Sequence, residues 1–114
     1  EEGRSLPLLE LARMNRLVSQ LLRDAMDAFL NEDFTMASAL PGHDKQIDEI
    51  NRDHFRQYQR LVEEEDLSVE TAFSLAFISK ALERIGDHAT NLAESVVFMY
   101  RGEDIRHSDL TKRK

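Results

Sequence analysis

Leu75, Ile78, Leu82, Ile85, Ala89, Leu92, Val96 and Met99 recur at spacings of 3, 4, 3, 4, 3, 4 and 3 along the C-terminal half of the chain. Apolar residues at that rhythm fall on one side of an α-helix, whereas in a strand they would scatter over both faces. The seam therefore demands a long helix with a helical partner. Ser68 is placed to cap its start and Glu70 adds the acidic first turn that the helix dipole favours. Gly102 is a plausible C-terminal stop. Residues from Asp104 onward lose the periodicity and read as a tail.

Two further segments share the period. From about Leu8 to Leu30, Leu11, Met14, Val18, Leu21, Ala25 and Ala28 repeat at 3, 4, 3, 4, 3, with Leu17, Leu22 and Phe29 widening the stripe. Pro7 suits a first helical turn, where its missing N–H costs nothing. Asn31-Glu32-Asp33 then makes a short turn. The stretch from Phe34 to about Glu65 carries Ala37, Leu40, Ile47, Ile50, Tyr58, Leu61 and Val62 on its apolar side. Pro41-Gly42 interrupts it. Either one helix kinks there, or a short helix ends near Leu40 and a long one begins near His43. The methionines at 14, 26, 36 and 99 fall on or near the apolar stripes and read as core. Phe73 and Phe77 lie off the seam and suit a second packing surface, against a partner bundle or in a dimer.

Nothing shows period two, so the fold class is all-α: an up-down-up bundle of three long antiparallel helices. Helices of about 30 residues would make a rod near 45 Å long. A length of 114 residues allows one such core. The bundle is expected over residues 8–102, with 1–7 and 103–114 as linker and tail. The chain starts at Glu1 without a Met and reads as a fragment.

Charge narrows the function classes. The formal net charge of −7 argues against a general nucleic-acid binder, which needs clustered Lys and Arg. The absence of cysteine removes thiolate metal sites, a catalytic Cys and disulfides. No apolar run reaches the ~20 residues of a membrane span. No Glu-x-x-His motif of di-iron bundles occurs, and no Gly-rich loop precedes a helix. His43, His54, His88 and His107 do not pair at ligand spacing and read as surface or flanking residues.

The acidity itself is patterned. Asp44 and Asp48 stand four apart, so both point the same way. Glu83, Asp87, Asn91 and Glu94 fall at about 0°, 40°, 80° and 20° around the third helix, a narrow oxygen-rich stripe. The heptad seam centres roughly 180° away, so the stripe is expected to face out of the bundle. Like charges four apart weaken a helix, and a hard cation such as iron(III), manganese or magnesium would offset the repulsion. The competing reading is a solvated acidic face relieved by Lys80 and Arg84.

The segment ERIGDHATNLAE, residues 83–94, closely resembles the signature of the PhoU family of phosphate-uptake regulators. DAMDAFLNEDFTMA, the Asp44-x-x-x-Asp48 pair and the closing RGEDIRH agree with it. Full-length PhoU proteins look like two tandem three-helix repeats, and this chain resembles the second, C-terminal one. Pro41-Gly42 departs from the family pattern, which has good helix formers there. The resemblance implies surface metal clusters on E/D-x-x-x-D motifs, filled in some members and empty in others. Asp44 and Asp48 match the first motif, Glu83 and Asp87 the second, and Asn91 and Glu94 continue the stripe as additional ligands. Iron is the foremost metal implied, with manganese, magnesium, zinc or nickel as alternatives.

The resemblance further implies a non-enzymatic cytoplasmic adaptor and negative regulator. Its partners would be a phosphate-sensing histidine kinase and the ATPase of a phosphate ABC transporter, which hold it at the inner face of the membrane. A homodimer, or packing against a second repeat, is implied as well. No nucleic acid and no direct membrane insertion are expected. The alternatives are a PhoU-like cytoplasmic domain of a sodium–phosphate cotransporter and a metal-dependent hydrolase.

Overall fold

The computed structural model describes the backbone of residues 2–112 and the side chains of residues 6–43 and 45–102. Four α-helices follow one another: α1 (Glu2–Leu30), α2 (Phe34–Ala39), α3 (Asp44–Glu63) and α4 (Val69–Lys112). A 3-10 turn, Pro41–His43, joins α2 to α3. The three long helices run up, down and up, so α1 and α4 lie parallel with α3 antiparallel between their ends. The all-α bundle expected from the periodicity is the fold.

Of the two arrangements open at Pro41-Gly42, the chain adopts the break. Proline cannot supply the next ladder donor, so α2 stops at Ala39 and the chain restarts at Asp44. Asp33 opens α2 by accepting the Met36 N–H at 3.0 Å. Ser68 caps α4 as its position suggested, accepting the Thr71 N–H at 3.1 Å. Both long connections end their helices with a 6→1 bond, Asp33 N to Ala28 O and Asp66 N to Leu61 O, each 2.9 Å. The residue before each donor is a glutamate at positive φ, Glu32 at 52° and Glu65 at 62°.

Two helix ends differ from the sequence expectation. Pro7 lies inside α1, not in its first turn, and gives up one ladder bond close to the helix start. Helix α4 does not stop at Gly102. That glycine keeps negative φ, so no left-handed cap forms, and the helix runs on to Lys112. Its 44 residues explain why the rod measures 73 × 19 × 17 Å, longer than three 30-residue helices would give.

The α1 stripe is the spine of the core: Leu11, Met14, Val18, Leu21, Ala25 and Ala28 are all buried. A central cluster joins Met14, Val18, Leu21 and Ala25 to Leu40, Ile47, Ala89 and Ala93. Leu11, Tyr58, Leu67 and Leu75 close one end, and Ala28, Ala37 and Val96 the other. Phe34 stacks on Tyr100 with ring centroids 4.3 Å apart.

Helix α4 is rotated from the orientation its apolar seam implied. Leu75, Ala89 and Val96 are buried, but Ile78, Ile85 and Met99 stand 45%, 40% and 54% exposed. The buried face runs instead through Leu75, Ser79, Glu83, Gly86, Ala89, Thr90, Ala93 and Val96. It centres roughly 70° round the helix from the seam. Close approach explains the choice. A Cβ on Gly86 would lie 2.9 Å from Ile47 Cδ1, so α3 packs where α4 carries almost no side chain. The large residues of α1 and α3 occupy the room that small α4 residues leave.

The displaced apolar residues face outward. Ile78, Ile85 and Met99 on α4 and Leu22, Met26 and Phe29 on α1 are all exposed. Phe29 and Met99 line one shallow depression with Val96 and Tyr100. Met26 and Met99 are therefore surface, contrary to expectation, whereas Met14 is core. Phe73 and Phe77 are 73% and 75% exposed, as a second packing surface requires.

Candidate metal-binding face

The rotation of α4 changes where its acidic stripe points. Measured from the true core face, the stripe centres roughly 100° away rather than opposite. Its first member, Glu83, is only 8% exposed and sits in the α3–α4 seam instead of facing out of the bundle. A buried carboxylate needs partners for its oxygens. Asn51 Nδ2 donates to Glu83 Oε2 at 3.1 Å, and the Lys80 ammonium donates to Oε1 at 2.5 Å.

Asp48 reaches the same place from α3. Its carboxyl is pushed above the usual aspartate range, first by burial and then by the charges of Glu83 and Asp87 and a hydrogen bond to Glu83. Asp48 and Asp87 are both half-buried, and the Asp87 carbonyl accepts the Thr90 hydroxyl at 2.9 Å. Helix α3 thus contributes Asp48 and α4 contributes Glu83 and Asp87 to one acidic seam.

The remaining candidates sit apart. The Asp44 side chain lies outside the described residues, although its backbone opens α3 one turn before Asp48. Asn91 and Glu94 are exposed and stand roughly 12 and 16 Å along α4 from Glu83, too far to share one ion with it. Glu94 instead borders a groove with Ser38, Pro41, Val97, Phe98 and Arg101. Among the described residues, no three His, Asp or Glu groups already stand in a metal-holding arrangement. The donor chemistry nevertheless suits a hard cation: carboxylate oxygens from two helices, with Asp48 crowded by Glu83 and Asp87 and an ammonium already on Glu83.

Sequence reasoning missed what lies behind this seam. His54, expected at the surface, is 3% exposed. Its Nδ1 lies 2.9 Å from Ser79 Oγ, and Ser79 donates to Asn51 Oδ1 at 2.8 Å. A buried polar string therefore runs His54–Ser79–Asn51–Glu83 through the bundle. Since the Ser79 proton points to Asn51, the string is completed with the His54 proton on Nδ1. The other ring nitrogen and the Tyr58 hydroxyl have no hydrogen-bond partner. Burial holds His54 below the ordinary histidine range, against the opposing pull of Glu10 and Asp53. His43 and His88 are exposed, and His107 lies outside the described side chains. The legible signal was Asn51, His54 and Tyr58 falling on the face of α3 that carries Ile47.

An all-α rod with a carboxylate seam between its second and third long helices is the class of protein these elements define. The PhoU domain model matches residues 11–96, most of the bundle. The chain belongs to the PhoU domain family.

Curated relatives agree. A phosphate-specific transport system accessory protein PhoU homolog of Pseudomonas aeruginosa is 32% identical over 115 residues, covering 100% of this chain and 48% of that protein. One of Pseudomonas putida is 34% identical over 113 residues, covering 98% and 44%. One of Caulobacter vibrioides is 35% identical over 95 residues, covering 83% and 41%. The chain thus spans a little under half the length of the relatives it matches. No solved structure matches it.

Proposed function

We propose that this chain is the metal-binding helical unit of a regulator of phosphate uptake and phosphate-starvation signalling. It acts as an adaptor and not as an enzyme. The match of the PhoU domain over residues 11–96 carries this reading, because the relatives that share it are named as accessory proteins of phosphate-specific transport. The physical features suit an adaptor. They are surfaces along a rod: an acidic seam at Asp48, Glu83 and Asp87, and an apolar strip at Leu22, Met26, Ile78 and Ile85.

The two surfaces have different tasks. The acidic seam takes a hard divalent or trivalent ion, iron foremost, on Asp48, Glu83 and Asp87, and Asp44, one turn earlier in the sequence of α3, is a further candidate ligand. Asn91 and Glu94 serve ions further along α4. The bound ion supplies positive charge that cancels carboxylate repulsion and ties α3 to α4. The apolar strip packs a second three-helix unit, from the same protein or from a second copy. The assembled protein docks on a phosphate-sensing histidine kinase and on the ATPase of a phosphate ABC transporter, restraining the kinase when phosphate is plentiful. It sits in the cytoplasm at the inner face of the membrane. Among the described residues, no helix is long and apolar enough to cross a membrane.

Two measurements test this. Full-length protein bearing this unit should capture the kinase sensor region and the transporter ATPase in a pull-down, and failure to capture either sinks the adaptor reading. Protein prepared without chelator should carry metal that Glu83→Ala and Asp87→Ala reduce. Equal, negligible metal in all three would leave the seam as a plain ion-paired interface.

A further inference from the structure

We propose that Lys80 is a built-in cation that holds Glu83 until a metal ion displaces it, and so sets the concentration at which the acidic seam fills. The inference rests on the metal reading above. The two oxygens of Glu83 are held in opposite ways. Oε2 accepts from Asn51, a buried side chain whose own oxygen is fixed by Ser79, so that contact has nowhere to go. Oε1 accepts from Lys80 Nζ at 2.5 Å, and the Lys80 side chain is 50% exposed against 10% for Glu83.

A lysine ammonium on a flexible stem has water to return to when it lets go. Of the two, Oε1 is therefore the oxygen whose donor can leave when a cation enters the seam. An ammonium and a metal ion cannot both sit on it, because like charges a few ångströms apart repel strongly in a partly desolvated seam. Displacing Lys80 is thus part of metal entry, while Asn51 keeps Glu83 turned toward the seam throughout. Within the seam Lys80 offsets the Glu83 charge while Arg52 acts on Asp48.

The test is a Mn2+ titration of the full chain by calorimetry, comparing wild type, Lys80→Met and Arg84→Met. Arg84 is exposed on the same helix, next to Glu83 in sequence, and is not the ammonium on Glu83, so its loss changes net charge equally. Lys80→Met should bind Mn2+ about three- to fivefold tighter than wild type, the upper end of what a half-exposed ion pair is worth. Arg84→Met should shift binding by less than about twofold, since exposed charges are screened. Equal shifts in both variants, or none in Lys80→Met while wild type binds, overturn the displacement and leave the metal reading standing. Absence of Mn2+ binding in all three proteins overturns both.

Discussion

Asn51 and Glu83 meet across the α3–α4 seam with the amide nitrogen 3.1 Å from Oε2, and both residues are buried. Around this contact the bundle interior is polar, with Ser79 and His54 behind Asn51 and Lys80 in front of Glu83. Removing the amide leaves a buried carboxylate short of one donor and Ser79 short of its acceptor. Asn51→Leu should therefore cost about 2–3 kcal/mol, more than an exposed polar contact is worth. Glu83→Gln keeps an acceptor for Asn51, loses the charge pairing with Lys80 and relieves the charge repulsion on Asp48, so its cost should be about 1 kcal/mol or less. Urea denaturation of the two variants measures the difference. Equal costs would mean that the amide is a bystander.

The unequal legibility of the helices has a physical cause. In α1 the buried stripe is made of large apolar residues, so its periodicity is the packing face itself, from Leu11 through Ala28. In α4 the packing face is made of Ser79, Gly86, Ala89, Thr90 and Ala93, which carry little hydrophobic signal. The strong signal, from Ile78, Ile85 and Met99, belongs to a surface left open here. Period therefore gave the helix but not its rotation. The acidic stripe was legible as a stripe, while the burial of Glu83 depended on that rotation. Pairing of Asp48 with Glu83 was legible only as two motifs on adjacent helices.

Gly86 and Ile47 test the rotation directly. A Cβ at position 86 meets the Ile47 Cδ1 at 2.9 Å, and Ile47 is fully buried. Gly86→Ala gains about 1 kcal/mol of helix propensity and loses a similar amount to the clash, so alone it should be close to neutral. Ile47→Val alone should cost about 0.5–1.5 kcal/mol for the missing methyl. Combined, the two should be more stable than the sum predicts by about 0.5–1 kcal/mol, because the valine no longer presents the clashing atom. Additive costs in a denaturation cycle would show that the two positions do not touch. Gly86→Val, which also branches at Cβ, should cost about 3 kcal/mol.

Two buried groups on α3 give the protein a pH profile with two limbs. His54 has a folded pKa below its ordinary 6.5, mainly because burial opposes the charged ring. The folded state then binds fewer protons than the unfolded chain. Its contribution is fully present above pH 6.5 and is lost as pH falls through the folded value. Tyr58 is pushed from 10.0 up to about 12, again mainly by burial and then by Glu10. Its contribution is fully present below pH 10 and is lost as pH rises toward 12. His54→Gln should flatten the acid limb relative to wild type, and Tyr58→Phe the alkaline limb. Since the Tyr58 hydroxyl has no partner, Tyr58→Phe should cost less than about 1 kcal/mol at neutral pH. Stability curves across pH 5–11 that run parallel to wild type would refute the assignment.

The glutamates that end α1 and α3 are the simplest route to a more stable bundle. Glu32 and Glu65 occupy the left-handed position of their caps, with φ of 52° and 62°, just before the residues that close the 6→1 bonds to Ala28 and Leu61. A side chain with a Cβ pays roughly 1 kcal/mol or more in that conformation, whereas glycine adopts it freely. Both glutamates are exposed, so their replacement removes no packing. Glycine is more flexible in the unfolded chain, which returns part of the gain. Glu32→Gly and Glu65→Gly should each stabilise the bundle by about 0.5–1 kcal/mol. The pair should add, because they sit in different connections. Glu65→Ala provides the control: it removes the same charge, keeps the Cβ, and should leave the denaturation midpoint unchanged. A stabilisation by alanine equal to that by glycine would assign the effect to charge relief among Glu63, Glu64 and Glu65 instead of to the backbone.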